Sequence, residues 1–153
     1  MQEAGTGDKF MDNWPEVIQS AKSLNEALRK LPSDERSFKE WADQLMGRKH
    51  IAKSDVVKNS GLNPTFAYQI LSEQRRAKRD KLLQLAFAME LDIETSSELL
   101  ERGGVNALSP RTKRDVIIAY CLSHGISLND CDEILYRAGQ PTIQQGYPAV
   151  KKY

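Results

Sequence analysis

The five residues Ser60-Gly61-Leu62-Asn63-Pro64 constrain this chain more than any others. Glycine takes the positive φ of a tight turn at little cost. Asparagine is a favoured helix N-cap, and proline is pre-set for the first helical position. The chain must therefore leave one helix, turn sharply and enter another. Apolar spacing agrees. A short helix is predicted over about 52–59 with Val56 and Val57 inside, and Leu62 plugs the corner. A second helix runs from Asn63 to about Glu73 and buries Phe66, Ala67, Ile70 and Leu71.

Helical punctuation continues on both sides. Ser37 with Glu40 makes a capping box, and Phe38, Trp41, Ala42 and Leu45 then form one face before Gly47. Further helices are predicted over about 79–89 and 94–102. Upstream, Val17, Ile18, Ala21, Leu24, Ala27, Leu28 and Leu31 recur at steps of three and four, which predicts one amphipathic helix over 14–31 that ends at Pro32. Residues 1–12 read as a frayed tail. Trp14 and Trp41 read as core anchors.

The last third repeats itself at a shift of 35 residues. Arg79-Asp80 meets Arg114-Asp115. Glu98, Leu100, Arg102 and Gly104 meet Glu133, Leu135, Arg137 and Gly139 as identities, and Leu108 meets Ile143. Each repeat is a helix, a tight turn, a second helix and a glycine stop. The second is predicted to start at Ser109-Pro110 and to occupy 111–138, with a tail from Gln144 to Tyr153.

The net charge of +1 conceals an uneven distribution. Residues 1–46 carry 6 basic and 9 acidic side chains, residues 47–81 carry 9 and 3, and residues 82–153 carry 7 and 9. The middle segment is thus +6 between flanks of −3 and −2, the footprint of a local polyanion-binding surface. On the helix from Asn63, the residues Thr65, Tyr68, Gln69 and Ser72 face outward. Tyr68 and Gln69 are long enough to reach base edges, and Gln can pair bidentately with adenine. The free N–H groups at the Asn63 end suit a phosphate. Lys53, Arg75, Arg76 and Lys78 sit where a duplex backbone would pass.

The stretch Ile51 to Leu100, reading IAKSDVVKNSGLNPTFAYQILSEQRRAKRDKLLQLAFAMELDIETSSELL, resembles the Cro-like phage-repressor family of helix-turn-helix domains, the xenobiotic-response-element type. With the capped helix from Ser37 it supplies the family's usual five helices. The resemblance implies major-groove binding by the helix from Asn63, with Thr65, Tyr68 and Gln69 at base-reading positions and Lys53 at a phosphate-contacting one. The chain departs from the family pattern at Val57, at Glu73, where the family often has glycine, and at Arg76-Ala77-Lys78.

The expected fold is all-α: a five-helix repressor-like helix-turn-helix domain over 37–104, preceded by a tail and amphipathic helix over 1–36. A helical hairpin over 105–143 and a tail over 144–153 follow. No apolar run approaches the roughly 18 residues of a membrane helix, and no signal peptide is read at Met1-Gln2-Glu3. A cytoplasmic protein without membrane association is expected. Cys121 and Cys131 lack metal-ligand spacing and read as semi-buried thiols in a reducing compartment. No cofactor, metal site or catalytic constellation is read, so an enzyme is not expected. The leading expectation is a bacterial or phage transcriptional regulator that binds double-stranded DNA as a homodimer. The alternative is a protein-interaction adaptor on the same scaffold, with the C-terminal hairpin as its partner surface.

Overall fold

A computed structural model describes residues 6–30 and 34–146 of the chain. Those residues form nine helices and no strand: α1 (Thr6–Ser20), α2 (Leu24–Arg29), α3 (Phe38–Arg48), α4 (Lys53–Ser60), α5 (Pro64–Leu71), α6 (Arg79–Ala88), α7 (Ile93–Arg102), α8 (Lys113–Ser123) and α9 (Leu128–Arg137). None is long and apolar enough to cross a membrane. The chain divides into two compact units, Met1–Arg36 and Ser37–Tyr153.

The first unit departs from expectation. Residues 6–12, read as a tail, are helical within α1, which kinks at Asn13 (φ −127°, ψ 30°) just before Pro15. Proline suits the start of a helical segment, so the kink falls where the second segment begins. The single helix expected over 14–31 is two helices. Ser23 intervenes as an N-cap, its hydroxyl accepting the Glu26 N–H, and the Glu26 carboxylate accepts the Lys22 N–H. A local cap outweighs continued apolar spacing here. Pro32 lies outside the described residues. Trp14 is 51% exposed, not a core anchor.

The second unit is organised around α6. Leu82, Leu83, Gln84, Leu85 and Ala86 are five consecutive buried residues, so α6 is covered on every side. Helices α4, α7 and α9 pack against it, and α3 packs on α5. Trp41 is 1% exposed beneath the guanidinium of Arg102, 5.3 Å from the ring centre. The capping box at Ser37 and Glu40 is formed.

Arg79 and Asp80 of the first repeat exchange partners with Arg114 and Asp115 of the second. Arg79 binds Asp115 through both guanidinium arms, Nη1 to Oδ1 at 3.0 Å and Nη2 to Oδ2 at 2.7 Å. Arg114 donates to Asp80 at 3.1 Å. Each arginine also clasps the loop that closes its own repeat: Arg79 donates to the carbonyls of Asn106 and Ala107, and Arg114 to those of Pro141 and Thr142. Those loop positions are again 35 residues apart. The crossed pairing relates the repeats by a local two-fold axis, not by a translation. Packing obeys the same symmetry, since α6 touches α9 as α8 touches α7. The backbone conformation repeats as well. Gly104 and Gly139 lie at φ +85° and +76°, and the helix-joining turns place Glu90 and Gly125 at +54° and +67°.

Two boundaries differ from the sequence reading. Ser109-Pro110 precede the second repeat's first helix as a turn. Helix α8 starts at Lys113 behind the N-cap Thr112, whose hydroxyl accepts the Asp115 N–H. Gln144, expected to open a tail, is tied down. Its backbone N–H and side-chain amide both donate to Asp132, and the amide also reaches Asn129.

Arg79→Met should leave the Asp115 carboxylate, 8% exposed, without its bidentate partner. The expected loss is about 3 kcal/mol, measured by urea unfolding. Arg114→Met should cost less, because Asp80 is more open to water at 29%.

Candidate nucleic-acid interface

Helix α4 ends at Gly61, which adopts φ +75°. Ser60, fully buried, fastens the turn from inside. Its hydroxyl donates to the Val57 carbonyl at 2.8 Å and accepts the Leu62 N–H at 3.1 Å. The Ser60 carbonyl accepts the side-chain amide of Gln84 on α6 at 2.9 Å. The turn is therefore anchored to the most buried helix of the unit. Leu62 is buried as the corner plug, 9% exposed. The Asn63 side chain then accepts the Phe66 N–H at 3.1 Å, and Pro64 opens α5.

Helix α5 buries Ala67, Ile70 and Leu71. Thr65 and Tyr68 are exposed and Gln69 is half-buried. Their spacing puts them on one face. Ser72 belongs to the end of that face. It is the C-cap, half-buried, and its hydroxyl donates to the Gln69 carbonyl at 3.3 Å. The same carbonyl accepts the N–H groups of Gln74 and Arg75 at 2.8 and 3.2 Å. The loop thus wraps onto the helix end and fixes where Arg75 emerges. The helix stops at Leu71, short of the predicted Glu73, because Glu73 adopts φ +66°. Left-handed backbone is what glycine accepts most readily.

The expected cations are distributed unevenly. Arg75, Arg76 and Lys78 are exposed in the segment between α5 and α6. The Arg75 guanidinium lies over the Phe66 ring at 5.7 Å from its centre. Arg76 packs beside Gly104, where an added Cβ would fall 2.7 Å from its Nη1. Lys78 is the N-cap of α6. Lys53, at the first position of α4, lies 3.3 Å from Asp43 of α3. Asp43 also binds Lys39 at 2.8 Å. The hydrogen bond from Lys39, with further help from Lys53, holds the Asp43 carboxyl below its ordinary range. The Glu73 carboxylate accepts the Lys39 backbone N–H at 3.2 Å and so caps the first turn of α3.

Three contributors were not singled out from the sequence. Lys39 and Asp43 show only an i,i+4 charge spacing, common on any solvated helix face. Gln84 is a polar residue on a buried helix, and its role appears only when α6 meets the turn. Its Oε1 has no hydrogen-bond partner.

No group of three or more His, Cys, Asp or Glu side chains among the described residues could hold a metal. Cys121 and Cys131 are fully buried, not semi-buried, and burial pushes both thiols up, away from the reactive thiolate. His50 and His124 are exposed. Comparison with known proteins finds no matching family model, no similar curated protein and no similar solved structure.

Gln84→Ala should strip the buried Ser60 carbonyl of its donor and cost about 1–3 kcal/mol in urea unfolding. Asp43→Asn should release Lys39 and Lys53 at a cost of about 0–1 kcal/mol, since the pairs are surface ones. Because the Asp43 pKa is depressed on folding, its contribution is present above the ordinary carboxylate range. It fades as pH falls through the lowered value. The wild-type and Asp43→Asn unfolding free energies should therefore converge in acid.

Proposed function

We propose that residues 37–104 form a repressor-like helix-turn-helix and that the chain binds double-stranded DNA as a sequence-specific transcriptional regulator of bacterial or phage type. Helix α5 enters the major groove. Thr65, Tyr68 and Gln69 meet base edges, and Ser72 lies at the rim of that surface. Arg75, Arg76 and Lys78 neutralise phosphates on one side and Lys53 on the other. The Asn63 end of α5 offers the Thr65 N–H to the backbone between them, since Pro64 has no N–H and the Phe66 N–H is bonded to Asn63. The observation that carries this reading is the placement of an outward polar face on α5 beside the exposed cations of the following loop, within the one segment of net charge +6.

Lys53 is paired with Asp43 at 3.3 Å. A phosphate arriving at Lys53 competes with one exposed carboxylate, and exposed pairs of this kind are weak. One such unit spans few base pairs, so a two-fold homodimer on a palindromic site is the natural assembly.

A protein-interaction adaptor on the same scaffold is the competing reading, favoured by the exposed apolar side chains of α8 and α9. Salt separates the two. Titrating salt against binding to random duplex should give a steep loss of affinity if cations neutralise phosphates. No binding at low salt would favour the adaptor. Selection from a random duplex pool then tests the residues. Gln69→Ala should lose about 1–3 kcal/mol at one base position, whereas Arg76→Ala should weaken all sequences alike and flatten the salt slope. Unchanged sequence preference in Gln69→Ala would remove α5 from base reading.

A further inference from the structure

The local two-fold between the repeats makes a position-by-position comparison possible. In the first repeat, Leu85 and Leu99 are wholly buried. Their equivalents in the second, 35 residues on, are Tyr120 and Ile134, exposed by 54% and 39%. Met89 is buried and its equivalent His124 is exposed, its ring stacked on Tyr120 at 3.9 Å. Arg102 and Arg137 each pair with a glutamate one turn earlier, Glu98 and Glu133. Yet the Arg102 side chain is 18% exposed across Trp41, whereas Arg137 is 75% exposed. The surface that α3 and α4 cover on the first repeat is therefore present on the second, with apolar residues retained and no cover within the Ser37–Tyr153 unit. Val116, 49% exposed, extends it along α8.

We infer that this α8–α9 face, centred on Tyr120 and Ile134, is the surface on which two molecules of this chain dimerise about a two-fold axis. The inference deepens the homodimer proposed above and does not depend on DNA binding. Two observations select a second molecule as the occupant. First, the α3–α4 surface that fits the equivalent face is already engaged in every molecule by its own first repeat. A second molecule offers the same open face, and a face that pairs with itself closes into a dimer instead of a filament. Second, the charges on the face are self-complementary. Lys113 stands exposed at the start of α8 and Asp130 at the start of α9. The two helices run antiparallel, so these residues mark opposite ends of the face. A two-fold through its centre sets the Lys113 end of each molecule against the Asp130 end of the other, with Tyr120 and Ile134 between them.

Sedimentation equilibrium of the full chain tests this directly. The wild type should dimerise. Tyr120→Glu and Ile134→Lys should each weaken the dimer by about thirtyfold or more while leaving the helical circular dichroism unchanged. Tyr136→Glu alters an equally exposed side chain on the opposite flank of α9 and should leave dimerisation intact. Lys113→Glu should weaken the dimer, and adding Asp130→Lys should restore it, an outcome that misfolding cannot imitate. A wild type that stays monomeric up to millimolar concentration overturns the inference and leaves the face to another partner. A dimer indifferent to Tyr120→Glu and Ile134→Lys overturns it too. A dimer that respects these variants but ignores duplex DNA at low salt would sink only the DNA reading.

Discussion

The arrangement of the larger unit is set by the burial of α6. A helix with buried residues at five consecutive positions cannot rest on one neighbour, because such a run spans more than a full helical turn. It needs cover on all sides, and three helices supply it. Helix α4 and its turn form one wall, α7 a second and α9 a third. The candidate DNA surface is a by-product of that requirement. Covering α6 with α4 places Ser60 against Gln84, and a turn held at its own carbonyl delivers α5 in one orientation. The base-reading role proposed for α5 would gain from such rigidity, since base contacts need side chains already in place.

The electrostatics follow a similar economy. Carboxylates near the proposed DNA surface are turned to structural use. Glu73 caps α3 and Asp43 gathers Lys39 and Lys53. Glu73, an acidic residue beside the proposed DNA surface, thereby has an internal partner. Arg75 and Arg76 are held differently, by stacking on Phe66 and by packing beside Gly104, contacts that leave their charge uncancelled.

What the sequence made legible was local. Asn63-Pro64, Ser37 with Glu40, and Gly61 act through neighbours two to four residues away, and each does in the structure what its chemistry predicts. The helices of the Ser37–Tyr153 unit were legible for the same reason. In the first unit, residues 6–12 carry no apolar period and read as a tail though they are helical, and at Ser23 a cap and an unbroken apolar period gave opposite signals. Trp14 shows the limit of periodicity: spacing tells which face of a helix is apolar, not whether anything covers it. Gln84 and the crossed arginines were illegible for a different reason. Their partners lie 24 to 36 residues away. The repeat of 35 residues was visible in the sequence, but a repeat in one dimension does not say whether its copies are stacked or rotated about an axis. That information enters only with the pairing of Arg79 to Asp115 and Arg114 to Asp80.

That crossed pairing also bears on why the two hairpins share one chain. A lone hairpin of this kind would carry an arginine and an aspartate that only a second hairpin could receive. As separate molecules, two hairpins would meet only at sufficient concentration. Joining them end to end replaces that bimolecular encounter with an intramolecular one, at the millimolar effective concentration typical of a short tether. The core that embeds α6 then assembles however scarce the protein is. The fold is thereby maintained without any second molecule, and the exposed α8–α9 face is left with no part in holding it together.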